Sequence, residues 1–105
     1  MSEASKRTEI CKTADVAPGT VIKIEAGELV LAVYNVEGDF FVTDDACTHG
    51  PASLSDGTLD GHLIECDFHQ GAFDVRTGEV AQPPCMIPVK AYATSVEGDT
   101  VFITE

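Results

Sequence analysis

Two of the four cysteines and all three histidines in this 105-residue chain fall in one stretch, CTHGPASLSDGTLDGHLIECDFH, and two of each are paired as Cys47-Thr-His49 and Cys66-Asp-Phe-His69. Four soft or borderline donors at such short spacing exclude calcium and magnesium, which take oxygen, and leave zinc or iron-sulfur. The order of the donors then discriminates. Common zinc fingers put two cysteines in one knuckle and two histidines in one helix, so each short pair shares a ligand type. Here each pair offers one thiolate and one imidazole. A centre with two unlike irons accounts for that: if one iron takes both thiolates and the other both imidazoles, each arm must reach both metals. Cys47, His49, Cys66 and His69 are therefore the expected metal ligands, on two arms that clamp a two-iron rhomb. A structural zinc held in a tetrahedron by the same four side chains, serving an interaction module, is the alternative.

Arms of this kind need a frame, and the frame reads as strands. Residues 8–12, 20–25, 28–36 and 39–44 are rich in Val, Ile, Leu, Phe and Thr and are separated by APGT, EAGE and VEGD. Near the other end VKAYATSVEGDTVFI reads strand, turn, strand, with Val89, Ala91 and Ala93 alternating against Lys90, Tyr92 and Thr94. The Val-Glu-Gly-Asp of residues 36–39 recurs at 96–99; its glycine supplies the positive φ of a hairpin turn, so this is recurring turn chemistry and not a duplicated domain. Between the strand-rich halves, residues 45–88 are dense in Gly, Pro, Asp and Ser, with short strands expected at HLIEC and AFDV. The expected architecture is all-β: a single domain over 1–105, with an antiparallel sheet base carrying a loop-rich cluster-binding subdomain at about 45–75 and a proline loop near 81–88.

Eighteen Asp and Glu against six Lys and Arg give a formal net charge of -12, with the acids scattered along the chain. That field repels nucleic acid and anionic lipid, so neither is an expected partner, and it can steer the molecule toward a basic patch on another protein. The opening MSEASKRTEI has no apolar stretch after its basic residues, and no apolar run is long enough for a bilayer span. A cytoplasmic protein is expected, where cysteines argue for metal or redox chemistry over a disulfide framework.

The Cys-x-His and Cys-x-x-His pairs resemble the Rieske motif. YNVEGDFFVTDDACTHG, SLSDG and HQGAFDVRTGEV are similar to the Rieske-type [2Fe-2S] ferredoxin components of bacterial aromatic-ring-hydroxylating dioxygenase systems, over roughly residues 10–103. The resemblance implies a Rieske fold and one Rieske-type [2Fe-2S] cluster with two Cys on one iron and two His on the other. High-potential members carry an extra cysteine in each loop, joined as a disulfide; Ala52 and Phe68 stand there in this chain. Those members also place serine and tyrosine hydroxyls near the cluster sulfurs, where this chain has Gly71 and Phe73. Fewer sulfur hydrogen bonds imply a potential near the bottom of the span of about -150 to +300 mV for such centres.

Function is narrowed by what the sequence lacks. A mononuclear iron site needs two further histidines, and only His62 remains once His49 and His69 are used; no Gly-x-Gly-x-x-Gly marks a dinucleotide site. The reading is a one-electron carrier without catalytic residues. The resemblance implies transient partners, an NAD(P)H-dependent FAD flavoprotein ferredoxin reductase and a terminal Rieske non-haem iron oxygenase of aromatic hydrocarbon degradation, and a monomer. The small subunit of a nitrite reductase and a redox sensor are the other Rieske-type readings. His62 is expected to be a partly exposed surface residue, Cys11 a small core residue and Cys85 a packed thiol. Arg76 is expected to balance Asp74 or Glu79, Gln70 to supply only backbone geometry, and Gly50 and Gly71 to let the backbone turn beside the cluster.

Overall fold

The structure is a computed structural model, and it describes residues 7–46, 53–66, 71–82 and 88–104. Ten strands run in chain order: β1 (Arg7–Lys12), β2 (Thr20–Ala26), β3 (Leu29–Val36), β4 (Asp39–Asp44), β5 (Thr58–Asp60), β6 (Leu63–Glu65), β7 (Ala72–Asp74), β8 (Val80–Gln82), β9 (Ala91–Glu97) and β10 (Thr100–Thr104). Short 3-10 turns lie at Thr13–Asp15 and Leu54–Asp56. A six-stranded sheet takes the order β1-β10-β9-β4-β3-β2, and a four-stranded sheet the order β5-β6-β7-β8. Every strand pairing is antiparallel. The all-β class expected from the sequence is the class observed. No helix among the described residues is long and apolar enough to cross a membrane.

The near-continuous apolar run of β3 has a structural cause. Leu31 and Val33 point into one core with Cys11, Val42, Tyr92, Val101 and Ile103. Ala32, Tyr34 and Val36 point the opposite way, into a second core with Leu54, Ile64, Cys66, Phe73, Val75 and Val89. Successive side chains of a strand face opposite sides, so only a strand covered on both faces needs apolar residues at every position. β3 is that strand, with the four-stranded sheet packed over its second face. The Tyr34 hydroxyl, buried at this junction, is satisfied by Thr43 Oγ1 at 2.8 Å.

The sequence reading is corrected at β5, at β8 and in the phase of β9. The strands β5 (TLD) and β8 (VAQ) escape notice because neither carries an aromatic residue or two adjacent large apolar ones, the features that mark the equally short β6 (LIE) and β7 (AFD). The alternation near the C-terminus has the wrong phase after Val89: Val89 and Tyr92 are buried while Ala93 is exposed. Val89 belongs to the core under the small sheet and Tyr92 to the core of the base, so the chain crosses between cores and one alternating face cannot hold both. The Tyr92 hydroxyl donates to Asp44 Oδ1 at 2.6 Å, which makes its burial tolerable.

The repeated Val-Glu-Gly-Asp turns in two registers. In the first copy Val36 pairs with Asp39, so Glu37 and Gly38 form the turn, at φ 54° and 96°. In the second Glu97 pairs with Thr100, so Gly98 and Asp99 form it, with Gly98 at φ 63°. The first register is held by Asn35, whose Oδ1 accepts the Gly38 N–H at 2.8 Å while its Nδ2 donates to the Val16 carbonyl at 2.7 Å.

Candidate metal centre

Of the four ligands expected from the sequence, Cys66 lies among the described residues; Cys47, His49 and His69 lie outside them, as do Gly50, Gln70 and Cys85. The described chain nevertheless fixes where both arms begin and end. Ala46 and Ser53, which flank residues 47–52, form an antiparallel bridge. Behind it the Asp45 carbonyl accepts the Leu54 N–H at 2.7 Å, Asp45 Oδ1 accepts the Ser55 N–H at 2.9 Å, and the Asp45 N–H donates to the Val30 carbonyl at 2.9 Å. Cys66 and Gly71, which flank residues 67–70, are joined by a hydrogen bond from the Cys66 N–H to the Gly71 carbonyl at 2.7 Å. Each arm leaves from a closed neck.

The two necks adjoin. Leu54 and Cys66 are both fully buried in the core that also holds Ile64 and Phe73. Gly57 lies against β6 so closely that a β-carbon there would sit 2.1 Å from the Glu65 carbonyl oxygen. Only a residue without a β-carbon allows that approach. Register carries the same relation across the small sheet: Thr58 pairs with Glu65, Glu65 with Ala72 and Ala72 with Gln82, one row at one end of all four strands. The chain ends at Cys66, Gly71 and Gln82 therefore open from a common edge. Beyond residues 83–87, Val89 returns its N–H to the Gly78 carbonyl at 2.9 Å. Gly78, at φ 83°, has no room for a side chain either, since a β-carbon would meet the Val89 carbonyl oxygen at 1.9 Å.

Among the described residues no group of three or more His, Cys, Asp or Glu could hold a metal ion. The donor set expected from the sequence is Cys66, at the inner end of one arm, with Cys47, His49 and His69 in the two segments that lie outside the described residues. Two thiolates and two imidazoles match a cluster with one sulfur-ligated and one nitrogen-ligated iron.

The residues around the centre sort as their surroundings dictate. His62 is half-buried, meets Phe41 edge-on at 5.7 Å and accepts the Val75 N–H on its carbonyl, in agreement with a surface role. Arg76 grips Asp74 through Nε at 3.0 Å and Nη2 at 2.8 Å, and this contact holds the Asp74 carboxyl below the usual range. Glu79 is not the partner. Cys11 is a core residue, and burial, with Asp15 nearby, pushes its thiol up to about 11. The described cations are committed: Arg7 to Glu97, Lys12 to Glu9 and Thr100, Lys23 to Asp45, Arg76 to Asp74, and Lys90 over the Tyr92 ring. Asp56 and Glu65, near the necks, remain exposed. Sequence reasoning missed Asp45, Gly57 and Gly78. The only trace of the first was its place two residues before a ligand cysteine, and of the others that they are glycines.

A family model described as the Rieske [2Fe-2S] domain matches residues 6–93. The ferredoxin component of a p-cumate 2,3-dioxygenase system from Pseudomonas putida is 47% identical over 97 residues, covering 90% of this chain and 81% of that protein. The solved Sphingomonas yanoikuyae B1 ferredoxin superposes with a TM-score of 0.90 at 44% identity, covering 95% of this chain and 99% of its own. A chain from the solved complex of reduced oxygenase and oxidised ferredoxin in carbazole 1,9a-dioxygenase superposes with a TM-score of 0.86 at 45% identity, covering 92% and 91%.

Proposed function

This chain belongs to the Rieske [2Fe-2S] domain family, and on that footing we propose that it is the ferredoxin of an aromatic-ring dioxygenase system, a one-electron carrier between a reductase and a terminal oxygenase. Its cofactor is one Rieske-type [2Fe-2S] cluster, which supplies a single reversible electron. Cys47 and Cys66 would hold one iron, and His49 and His69 the other. The cluster-binding subdomain is the segment of about 45–75, with the proline loop near 81–88 beside it and the rest of the chain as its base. The observation that carries this reading is the mixed Cys-His pairing in a chain with nearly full-length similarity to dioxygenase ferredoxins.

This chain's own residues do three things in that role. The closed necks at Ala46–Ser53 and Cys66–Gly71 fix the points at which the two ligand arms leave the sheets. Phe73, buried beside Cys66, brings no hydroxyl to the site, which favours a low potential. The acidic surface guides a brief encounter with a basic face on each partner. The protein has no catalytic residues and is not an enzyme. It is a cytoplasmic monomer that meets an FAD-containing, NAD(P)H-dependent reductase and a terminal oxygenase in turn, and it binds neither nucleic acid nor membrane.

The test is an electron paramagnetic resonance spectrum of the dithionite-reduced protein, followed by reconstitution with a ferredoxin reductase and a Rieske oxygenase. Mixed histidine-cysteine g-values, and product formation dependent on this protein, are expected. A colourless zinc protein, or stable co-purification with a large catalytic subunit, overturns the carrier reading.

A further inference from the structure

Asp45 is buried, with its side chain only 3% exposed, and its polar groups reach three separate elements. The N–H goes to Val30 on β3, and the carbonyl and Oδ1 take the Leu54 and Ser55 N–H groups of the 54–56 turn. Oδ2 lies 3.8 Å from Lys23 Nζ on β2, a half-exposed ammonium that balances the buried charge. A carboxylate is seldom buried without a specific use for its hydrogen bonds. The use here is positional. Asp45, just past β4, and Ser55, in the 54–56 turn, lie on opposite sides of the first neck, one residue behind the Ala46 bridge and two behind Ser53, so their bond is a cross-brace under the neck.

The geometry points to Asp45 as a positioning residue for the first ligand arm, its Oδ1 bond to the Ser55 N–H setting how firmly Cys47 and His49 are held on the metal centre. This rests on the carrier reading above. Asp45 touches no metal in this account; it acts through the backbone of the arm, and its effect is on cluster retention and ligand geometry.

The test compares holoprotein of the wild type with Asp45→Ala, Asp45→Asn and Ile103→Val. Two quantities are read: the rate at which the visible absorption bleaches in excess chelator, well below the unfolding temperature, and the g-values of the reduced protein. Loss of the brace exposes an unpaired buried N–H, so Asp45→Ala is expected to bleach about tenfold faster or more, with displaced g-values. Asp45→Asn keeps an oxygen acceptor and is expected to recover most of the retention. Ile103→Val, which trims the base core on β10, is expected to bleach at the wild-type rate, which separates arm positioning from general destabilisation. Hydrogen exchange of the wild type over residues 53–57 needs no variant, and strong protection of the Ser55 amide is expected. Wild-type bleaching and g-values in Asp45→Ala, equal acceleration in Ile103→Val, or an unprotected Ser55 amide would each overturn the assignment. A wild-type protein without mixed-ligand g-values overturns the carrier reading instead.

Discussion

Replacing Gly57 by alanine should separate the two ligand arms, and the structure sets the size of the effect. The residue sits at φ -83°, a conformation open to any L-amino acid, so the substitution carries no backbone strain of its own. The cost is steric. A β-carbon would lie 2.1 Å from the Glu65 carbonyl oxygen and 3.2 Å from that of Leu54, whereas ordinary contacts begin near 3.4 Å, so the 54–57 turn must move off β6 by roughly 1 Å. That displacement strains the Thr58–Glu65 pair and drags at Leu54, fully buried beside Cys66. Overpacking of this kind costs about 1–3 kcal/mol, and a weakened hydrogen bond adds about 1 kcal/mol. A total of about 2–4 kcal/mol lowers the melting temperature by about 10–30 °C in a domain of this size. Three other glycines calibrate the argument. Gly61 and Gly98 have φ of 61° and 63° but nothing within 4 Å of a β-carbon, so alanine there costs only the backbone strain, about 1 kcal/mol. Gly78 combines φ 83° with a β-carbon contact of 1.9 Å to the Val89 carbonyl oxygen and should suffer most. Thermal melts followed by circular dichroism should therefore rank the alanine variants Gly78, Gly57, then Gly61 and Gly98 together, from most to least destabilised. A Gly57→Ala protein that melts at or above Gly61→Ala would refute the steric account of how the arms are spaced.

Glu37 is the one non-glycine residue at positive φ among the described residues, so Glu37→Asn, which tolerates that conformation, should raise stability by about 0.5–1 kcal/mol in a denaturant titration. The Cys11 thiol ionises near 11 when folded and near its ordinary value of 9 when unfolded; the unfolded chain loses its proton first, so stability should fall as pH rises between those values. Chemical unfolding across that window should show a steeper decline in the wild type than in Cys11→Ala, and equal slopes would remove burial of the thiol as the cause. The second-order rate of electron transfer to the oxygenase should drop steeply between ionic strengths of about 0.01 and 1 M, over which the screening length shrinks from about 30 to 3 Å. A flat dependence in stopped-flow reduction would mean that the net charge of -12 does not guide the encounter.

Local chemistry was enough to read the all-β class and most of the strands, and to single out the ligand set proposed above. Cys47, His49, Cys66 and His69 stand at spacings that suit few metals, and β-branched runs punctuated by glycine mark β1 to β4, β9 and β10 without reference to anything distant. Three kinds of fact needed the folded chain. The phase of β9 depends on there being two cores, because Val89 and Tyr92 are buried on different sides of the base. The two registers of Val-Glu-Gly-Asp depend on neighbours outside the tetrapeptide, such as the Asn35 side chain that accepts the Gly38 N–H. The spacing of the arms depends on a backbone approach between Gly57 and Glu65 and on Asp45, which reaches residues 23 and 55 through its carboxylate and residues 30 and 54 through its backbone. Ligand identity is a property of single side chains and their near neighbours, and so it is written along the chain. Holding two ligand-bearing segments at a fixed separation is a property of contacts between residues remote in sequence, which exist only once the sheets have packed.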